Sequence, residues 1–178
     1  MVREISAGGV VIRKREGEWW MAAIEPPTET ARAKLGKPAP AKSGRARKGP
    51  SRHMTGWRTR VLALPKGLVD PGEKALESAL REVFEETGVL AEPVAKLGDS
   101  RYIYTRTWGD GQRVFKIVSF YLMRYCSGRI NDVTPEMRVE VARARWVRLE
   151  DAPKLLAYGG EKQMARRALE YVRKHEEL

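Results

Sequence analysis

The stretch that decides the fold runs from Gly67 to Val89 and reads GLVDPGEKALESALREVFEETGV. Pro71 and Gly72 set a turn and Gly88 a stop, so the pattern predicts a helix over Glu73–Thr87. Glu85 and Glu86 lie three and four residues beyond Glu82, which puts the three carboxylates on one helical face. Leu76, Ala79, Leu80 and Val83 fall on a neighbouring arc. That arc would seat the helix against a sheet and leave the glutamates fixed at its margin.

Like charges at this spacing each destabilise a bare helix by roughly 0.2–0.5 kcal/mol, so the knot calls for a cation. Arg81, with Glu77 and Glu85 four residues to either side, relieves only part of it. A hard divalent ion with oxygen ligands, Mg²⁺ or Mn²⁺, is the natural occupant, whereas the absence of nearby His or Cys gives zinc little support. Such ions neutralise phosphate oxygens and acidify an attacking water, which points to water attacking phosphorus. By itself REVFEE reads as an ordinary solvated helix.

Its surroundings change that reading, because the stretch resembles the Nudix box, GX5EX7REUXEEXGU, where U is a bulky aliphatic residue. Gly67, Glu73, Arg81, Glu82, Val83, Glu85, Glu86, Gly88 and Val89 fill every specified place. At ordinary residue frequencies the coincidence arises on the order of once in a billion start points. The flanks are similar too: AGGVVI near the start, LPKG leading into the box and RWVRLEDA ahead of a final helix. The resemblance implies an α/β Nudix fold, a mixed β-sheet sandwiched between α-helices. It also implies hydrolysis of a nucleoside diphosphate linked to another group, with Mg²⁺ or Mn²⁺ as cofactor.

Carried over residue by residue, the resemblance makes Glu82, Glu85, Glu86 and the carbonyl of Lys66 metal ligands. Arg81 would orient the glutamates, Gly67 would permit the tight loop, Glu73 would brace the loop against the helix, and Gly88 would close the helix. The family's general base is either a box glutamate or a glutamate on a later loop, so Glu82, Glu140 and Glu136 all stay open; Glu140 stands six residues ahead of Trp146, where the later glutamate is often found. The implied catalytic set is Glu82, Arg81 and Glu140. Lys66, Arg58, Arg60 and Lys116 are candidate phosphate contacts.

The substrate is less sharply marked. The LPKG lead-in resembles dinucleoside polyphosphate, diphosphoinositol polyphosphate and MutT-type branches alike. Tyr104, 16 residues past Gly88, is a loose mark of diadenosine polyphosphate hydrolases, and no proline stands at 103–105, which disfavours the ADP-ribose branch. Tyr102, Tyr104 and Trp108 alternate onto one side of a strand, either as a stacking surface for a purine or as a core-facing row. The expected substrate is a dinucleoside polyphosphate such as diadenosine tetraphosphate. The alternatives are an oxidised nucleoside triphosphate and, in another class, a nucleotide- or RNA-binding module without turnover. The four intact box glutamates argue against the last.

Outward from the box, the chain of 178 residues has about the length of one domain, with 42% hydrophobic residues. Residues 1–178 are expected to form a single domain. Residues 27–56 hold eight Lys or Arg and one Glu, so +7 of the net +11 lies there. This stretch, rich in Pro, Gly, Ala and Ser, is expected to be a flexible basic insertion. The high charge is therefore weak support for nucleic-acid binding by the body; no stable nucleic-acid partner is expected, and RNA contact through 27–56 stays open. One cysteine, Cys126, excludes an internal disulfide and suits a reducing cytoplasm. No apolar run approaches the roughly 20 residues of a membrane helix, so no spanning segment and no membrane partner are expected. His53 and His175 are expected to be solvated.

Remaining elements follow from local pattern. Ser6–Arg13, opened by Gly8 and Gly9, and Trp19–Ile24 predict a hairpin; Val61–Leu64 predicts a short strand stopped by Pro65. Arg101–Trp108 and Arg113–Tyr125 predict a second hairpin about Gly109, Asp110 and Gly111, and Arg145–Leu149 a further strand. Glu161–Glu176 predicts a closing amphipathic helix.

Overall fold

A computed structural model describes residues 1–27, 61–106 and 111–178. In chain order the elements are β1 (Val2–Arg15), β2 (Glu18–Glu25), β3 (Lys66–Leu68), α1 (Ala75–Thr87), β4 (Val89–Thr105) and β5 (Arg113–Gly128). A 3₁₀ turn (Met137–Val139), β6 (Arg143–Arg148), α2 (Ala152–Leu155) and α3 (Gly159–Lys174) follow. Glu16 and Gly17, at φ 53° and 79°, give the β1–β2 hairpin the left-handed pair that a tight two-residue turn requires.

The strands lie in the order β4-β5-β1-β2-β6, with β3 paired to β1. β1 runs parallel to β5 and antiparallel to β2 and β3, so the sheet is mixed as expected. Alternation along β1 sorts its side chains to two faces. Val10 and Ile12 join Phe120, Leu122, Met164, Ala165 and Ala168 under α3. Ala7 and Val11 join Ala79, Val83 and Met123 under α1. Each large apolar side chain so buried contributes about 1.5–3 kcal/mol, and together they fix the sheet between its helices.

Several local expectations change. Val61–Leu64 forms no strand: Leu62 and Ala63 make isolated bridges to Leu156 and Ile24, because Leu62 and Leu64 turn into the core. The ladder resumes at β3, inside the LPKG stretch. Gly8 and Gly9 do not open β1 but lie within it. A Cβ on Gly8 would collide with the Pro65 carbonyl, and one on Gly9 would stand 2.8 Å from Met123 Sδ and Val83 Cγ2, so both glycines permit close packing. α1 begins two residues later than expected because Glu73 belongs to the loop. Of its expected apolar arc, Ala79 and Val83 are buried, Leu80 flanks them, and Leu76 is half-buried outside that cluster.

β4 starts at Val89, well before Arg101, and keeps its long pairing with β5 through irregularities near Leu90, Pro93 and Lys96. α3 begins and ends two residues before the expected bounds. His175 is exposed, as expected, with its ring stacked on Tyr171 at 4.0 Å. Residues 28–56 of the basic segment, with His53, lie outside the described residues, as do Arg58, Arg60, Trp108, Gly109 and Asp110. Among the described residues no helix is long and apolar enough to cross a membrane.

Candidate active site

Helix α1 places its three glutamates at graded depth. The Glu85 side chain is 38% exposed, Glu82 12%, and Glu86 is buried at 5%. Two features hold the helix ends: Glu77 Oε2 accepts the Lys74 N–H at 3.0 Å at the start, and Gly88, at φ 80°, donates its N–H to the Phe84 carbonyl at 2.8 Å.

Arg81 is the hub of the half-buried side. Its Nε donates to Glu73 Oε1 at 2.9 Å and its Nη2 to Glu73 Oε2 at 3.0 Å, a bidentate pair. Nη1 donates to both Glu82 Oε1 at 2.9 Å and Glu85 Oε2 at 3.1 Å, while Nη2 also reaches the Leu68 carbonyl at 3.2 Å. Glu73 Oε2 in turn accepts the Asp70 N–H at 3.1 Å, which ties loop to helix. The Arg81 hydrogen bonds hold the Glu73 carboxyl down at about 2.

On the buried side Glu86 Oε2 accepts the Lys66 N–H at 2.8 Å. Burial pushes the Glu86 carboxyl up to about 8 against the pull of Lys66, and Glu82 and Glu140 add repulsion. Burial likewise raises Glu82, against Arg81, with Glu85 and Glu140 again adding repulsion. Gly67 lies directly on the Glu82 carboxylate, where a Cβ would occupy the same space. The box thus brings Lys66, Gly67, Glu82 and Glu86 together.

A cleft of about 180 Å³ opens over them. Lys66, Gly67, Glu86, Lys116, Glu140 and Tyr158 line it, with Ile24, Pro26, Ala63 and Val139 as its apolar wall. Glu140 is therefore at the cleft; Glu136 is exposed at the start of the 3₁₀ turn and does not line it. Tyr104, an expected substrate contact, does not line the cleft. Its hydroxyl donates to Glu4 Oε2 at 2.8 Å, and the same carboxylate pairs with Arg106 at 3.0 Å and Lys116 at 3.6 Å. Tyr102 and Tyr104 share a side as expected, their rings 6.3 Å apart. Cys126 is exposed on β5.

Among the described residues, no three His, Cys, Asp or Glu side chains are gathered at metal-holding distance. Glu82 and Glu85 are turned to Arg81, and Glu86 to the Lys66 peptide. The donor set still suits a hard divalent ion: it is all oxygen, and burial and mutual repulsion hold Glu82 and Glu86 above the usual carboxylate range, which a bound cation would relieve.

Sequence reasoning misses Glu161 and Glu4. Glu161 is buried on the first turn of α3, with Lys66 Nζ donating to its Oε1 at 2.6 Å and the Leu64 N–H to its Oε2 at 2.9 Å. A signal for it exists: Glu161 shares the apolar stripe of Met164, Ala165, Ala168 and Val172, where an acid is out of place. Glu4 has no comparable mark.

Comparison with known proteins bears on the family and the fold. A Mycobacterium tuberculosis (strain CDC 1551 / Oshkosh) protein provisionally named mutator protein MutT4 is 41% identical over 118 residues, 66% of this chain and 45% of its own length. An RNA pyrophosphohydrolase of Novosphingobium aromaticivorans is 34% identical over 104 residues, 52% of this chain and 63% of its own. The chain thus spans about half to two thirds of these relatives. A crystal structure of a C. elegans Ap4A hydrolase binary complex shares the fold at TM-score 0.61 and 20% identity, covering 96% of this chain and 98% of that one. Residues 45–168 match the NUDIX domain family, and with every specified place of the box filled, the chain belongs to the Nudix hydrolase family.

Proposed function

We propose that the chain is a divalent-metal-dependent pyrophosphohydrolase that cleaves a nucleoside diphosphate linked to another group, with dinucleoside polyphosphates such as diadenosine tetraphosphate as its substrate class. The observation that carries this reading is the single cleft shared by two carboxylates, Glu86 and Glu140, and two ammonium groups, Lys66 and Lys116. A phosphoric anhydride needs both: cations against its oxygens and carboxylates that can hold a metal ion or take a proton. Cations continue from Lys116 to Arg106 across their shared partner Glu4, which suits a phosphate chain longer than the reacting pair. Tyr102, 42% exposed, offers a ring to a base.

Glu82, Glu85, Glu86 and the Lys66 carbonyl would hold Mg²⁺ or Mn²⁺. When bound, that ion neutralises phosphate oxygens and makes an attacking water acidic. Arg81 keeps Glu82 and Glu85 oriented, acting through them rather than on substrate. Glu140 accepts the proton of the attacking water. Lys66 and Lys116 stabilise the charge that grows on the phosphate oxygens. Residues 1–178 act as one domain, with 27–56 inserted between β2 and β3, and the reducing cytoplasm suits the exposed, unpaired Cys126.

A second reading, MutT-type hydrolysis of an oxidised nucleoside triphosphate, is favoured by a Bacillus subtilis relative provisionally named for 8-oxo-dGTP diphosphatase activity, 49% identical over 53 residues. Product release with Mg²⁺ from nucleoside triphosphates, diadenosine polyphosphates, ADP-ribose and capped RNA separates the readings. Fastest turnover is expected on diadenosine polyphosphates. Faster turnover of a triphosphate selects the second reading, and no Mg²⁺- or Mn²⁺-dependent turnover on any of them removes both.

A further inference from the structure

Lys66 has three roles in one residue. Its N–H donates to Glu86, its carbonyl is assigned to the metal, and its ammonium lies in the cleft that Glu86 and Glu140 also line. An ammonium with three donors among clustered carboxylates is a direct rival of a divalent ion for the same oxygens. Glu161 decides where that ammonium rests. Its Oε2 is fixed by the Leu64 N–H at 2.9 Å, so its Oε1 offers the Lys66 Nζ one defined place at 2.6 Å. The Tyr158 ring, 5.6 Å from the same nitrogen, adds a cation–π contact on that side. Glu161 stands in the first turn of α3, where the helix dipole favours a carboxylate, although the rest of its stripe is apolar.

We propose that Glu161 is a positioning residue that draws the Lys66 ammonium away from Glu82 and Glu86 and so leaves the box carboxylates free for the divalent ion. This rests on the reading that those carboxylates hold that ion.

The test is Mn²⁺ binding, measured by titration calorimetry without substrate, on the wild type, Glu161→Gln, Lys66→Met and the double variant. Glutamine keeps an acceptor for the Leu64 N–H but removes the charge that holds Lys66. Glu161→Gln is expected to bind Mn²⁺ about 10-fold more weakly, the lower end of the effect typical of groups that position metal ligands. In the Lys66→Met background, where no ammonium is left to restrain, the same change is expected to alter affinity by less than about 2-fold.

Equal affinity of Glu161→Gln and wild type, with the wild type binding, overturns this proposal alone. So does an undiminished loss in the Lys66→Met background, since the effect would then travel through the Leu64 peptide. A wild type that binds no Mn²⁺ overturns this proposal and the metal reading together. If circular dichroism finds Glu161→Gln unfolded, Glu161→Asp, which keeps the charge of the buried pair but draws it back from Lys66 by one methylene, takes its place: weaker Mn²⁺ binding is expected, and wild-type affinity overturns the proposal.

Discussion

Two cations serve the box from opposite sides, and they do so differently. Arg81 faces a half-buried group of acids, Glu73, Glu82 and Glu85, all within twelve residues of one another along the chain, and holds Glu73 down at about 2. Lys66 faces the buried side, and its ion-pair partner comes from the last helix, 95 residues away. There Glu86 stays high, at about 8, because burial and its acidic neighbours outweigh Lys66. One side is electrostatically satisfied and acts as a frame. On the other, burial raises Glu86 even though Lys66 and Lys116 line the same cleft, and a carboxylate so perturbed in a cleft is the mark of a functional site.

The largest expected effect follows from that asymmetry. Glu86→Gln should lower turnover more than about 100-fold, beyond what loss of a positioning group costs, while circular dichroism and thermal melting stay close to wild type. Turnover within a few fold of wild type would mean that the buried side does not hold the metal. Next in size is Gly67→Ala. The nearest atoms to its new methyl are those of the Glu82 carboxylate, the far end of a side chain that can move, so stability should change by less than about 1 kcal/mol while turnover falls about 10-fold. Gly9→Ala is the contrast, because its methyl meets Met123 and Val83 in the core; urea titration should find it destabilised by about 1–3 kcal/mol.

On the Arg81 side, Arg81→Lys should cost about 1–2 kcal/mol in the same titration, since an ammonium cannot form the fork to Glu73 and still reach Glu82 and Glu85. A lysine variant as stable as wild type would show that the frame needs only charge.

The same division separates what is legible in the amino-acid sequence from what is not. The α1 helix, its glycine stop and the gathering of Glu82, Glu85 and Arg81 depend on spacings of a few residues, and each is legible. The mixed sheet between helices is legible only through resemblance, since parallel pairing of β1 with β5 joins segments about a hundred residues apart. Val61–Leu64 looks like a strand because an apolar run does not say whether its backbone will find a ladder; here Leu62 and Leu64 fill the core, Val61 stays exposed, and β3 pairs with β1 instead. Gly8 and Gly9 look like a strand opening because a sequence shows a missing side chain but not the neighbour that needs the space. Glu4 escapes notice for the same reason, whereas Glu161 is marked as an acid within an apolar stripe and only its partner, set by tertiary contact, is hidden.

The smallest expected effect concerns pH and tests the frame by itself. Hydrogen bonds from Arg81, with help from the Asp70 peptide, hold Glu73 at about 2, below the ordinary 4.5. A carboxylate depressed in the folded state adds stability that is fully present above its unfolded value and disappears as pH falls through its folded one. The stability difference between wild type and Glu73→Gln should therefore be constant above about pH 5.5 and shrink steadily between 4.5 and 2. Urea midpoints of both proteins across that range give the comparison directly. A difference that persists unchanged to pH 2 would mean that Glu73 braces the loop through shape and its Asp70 bond, and that the charge of Arg81 serves only Glu82 and Glu85.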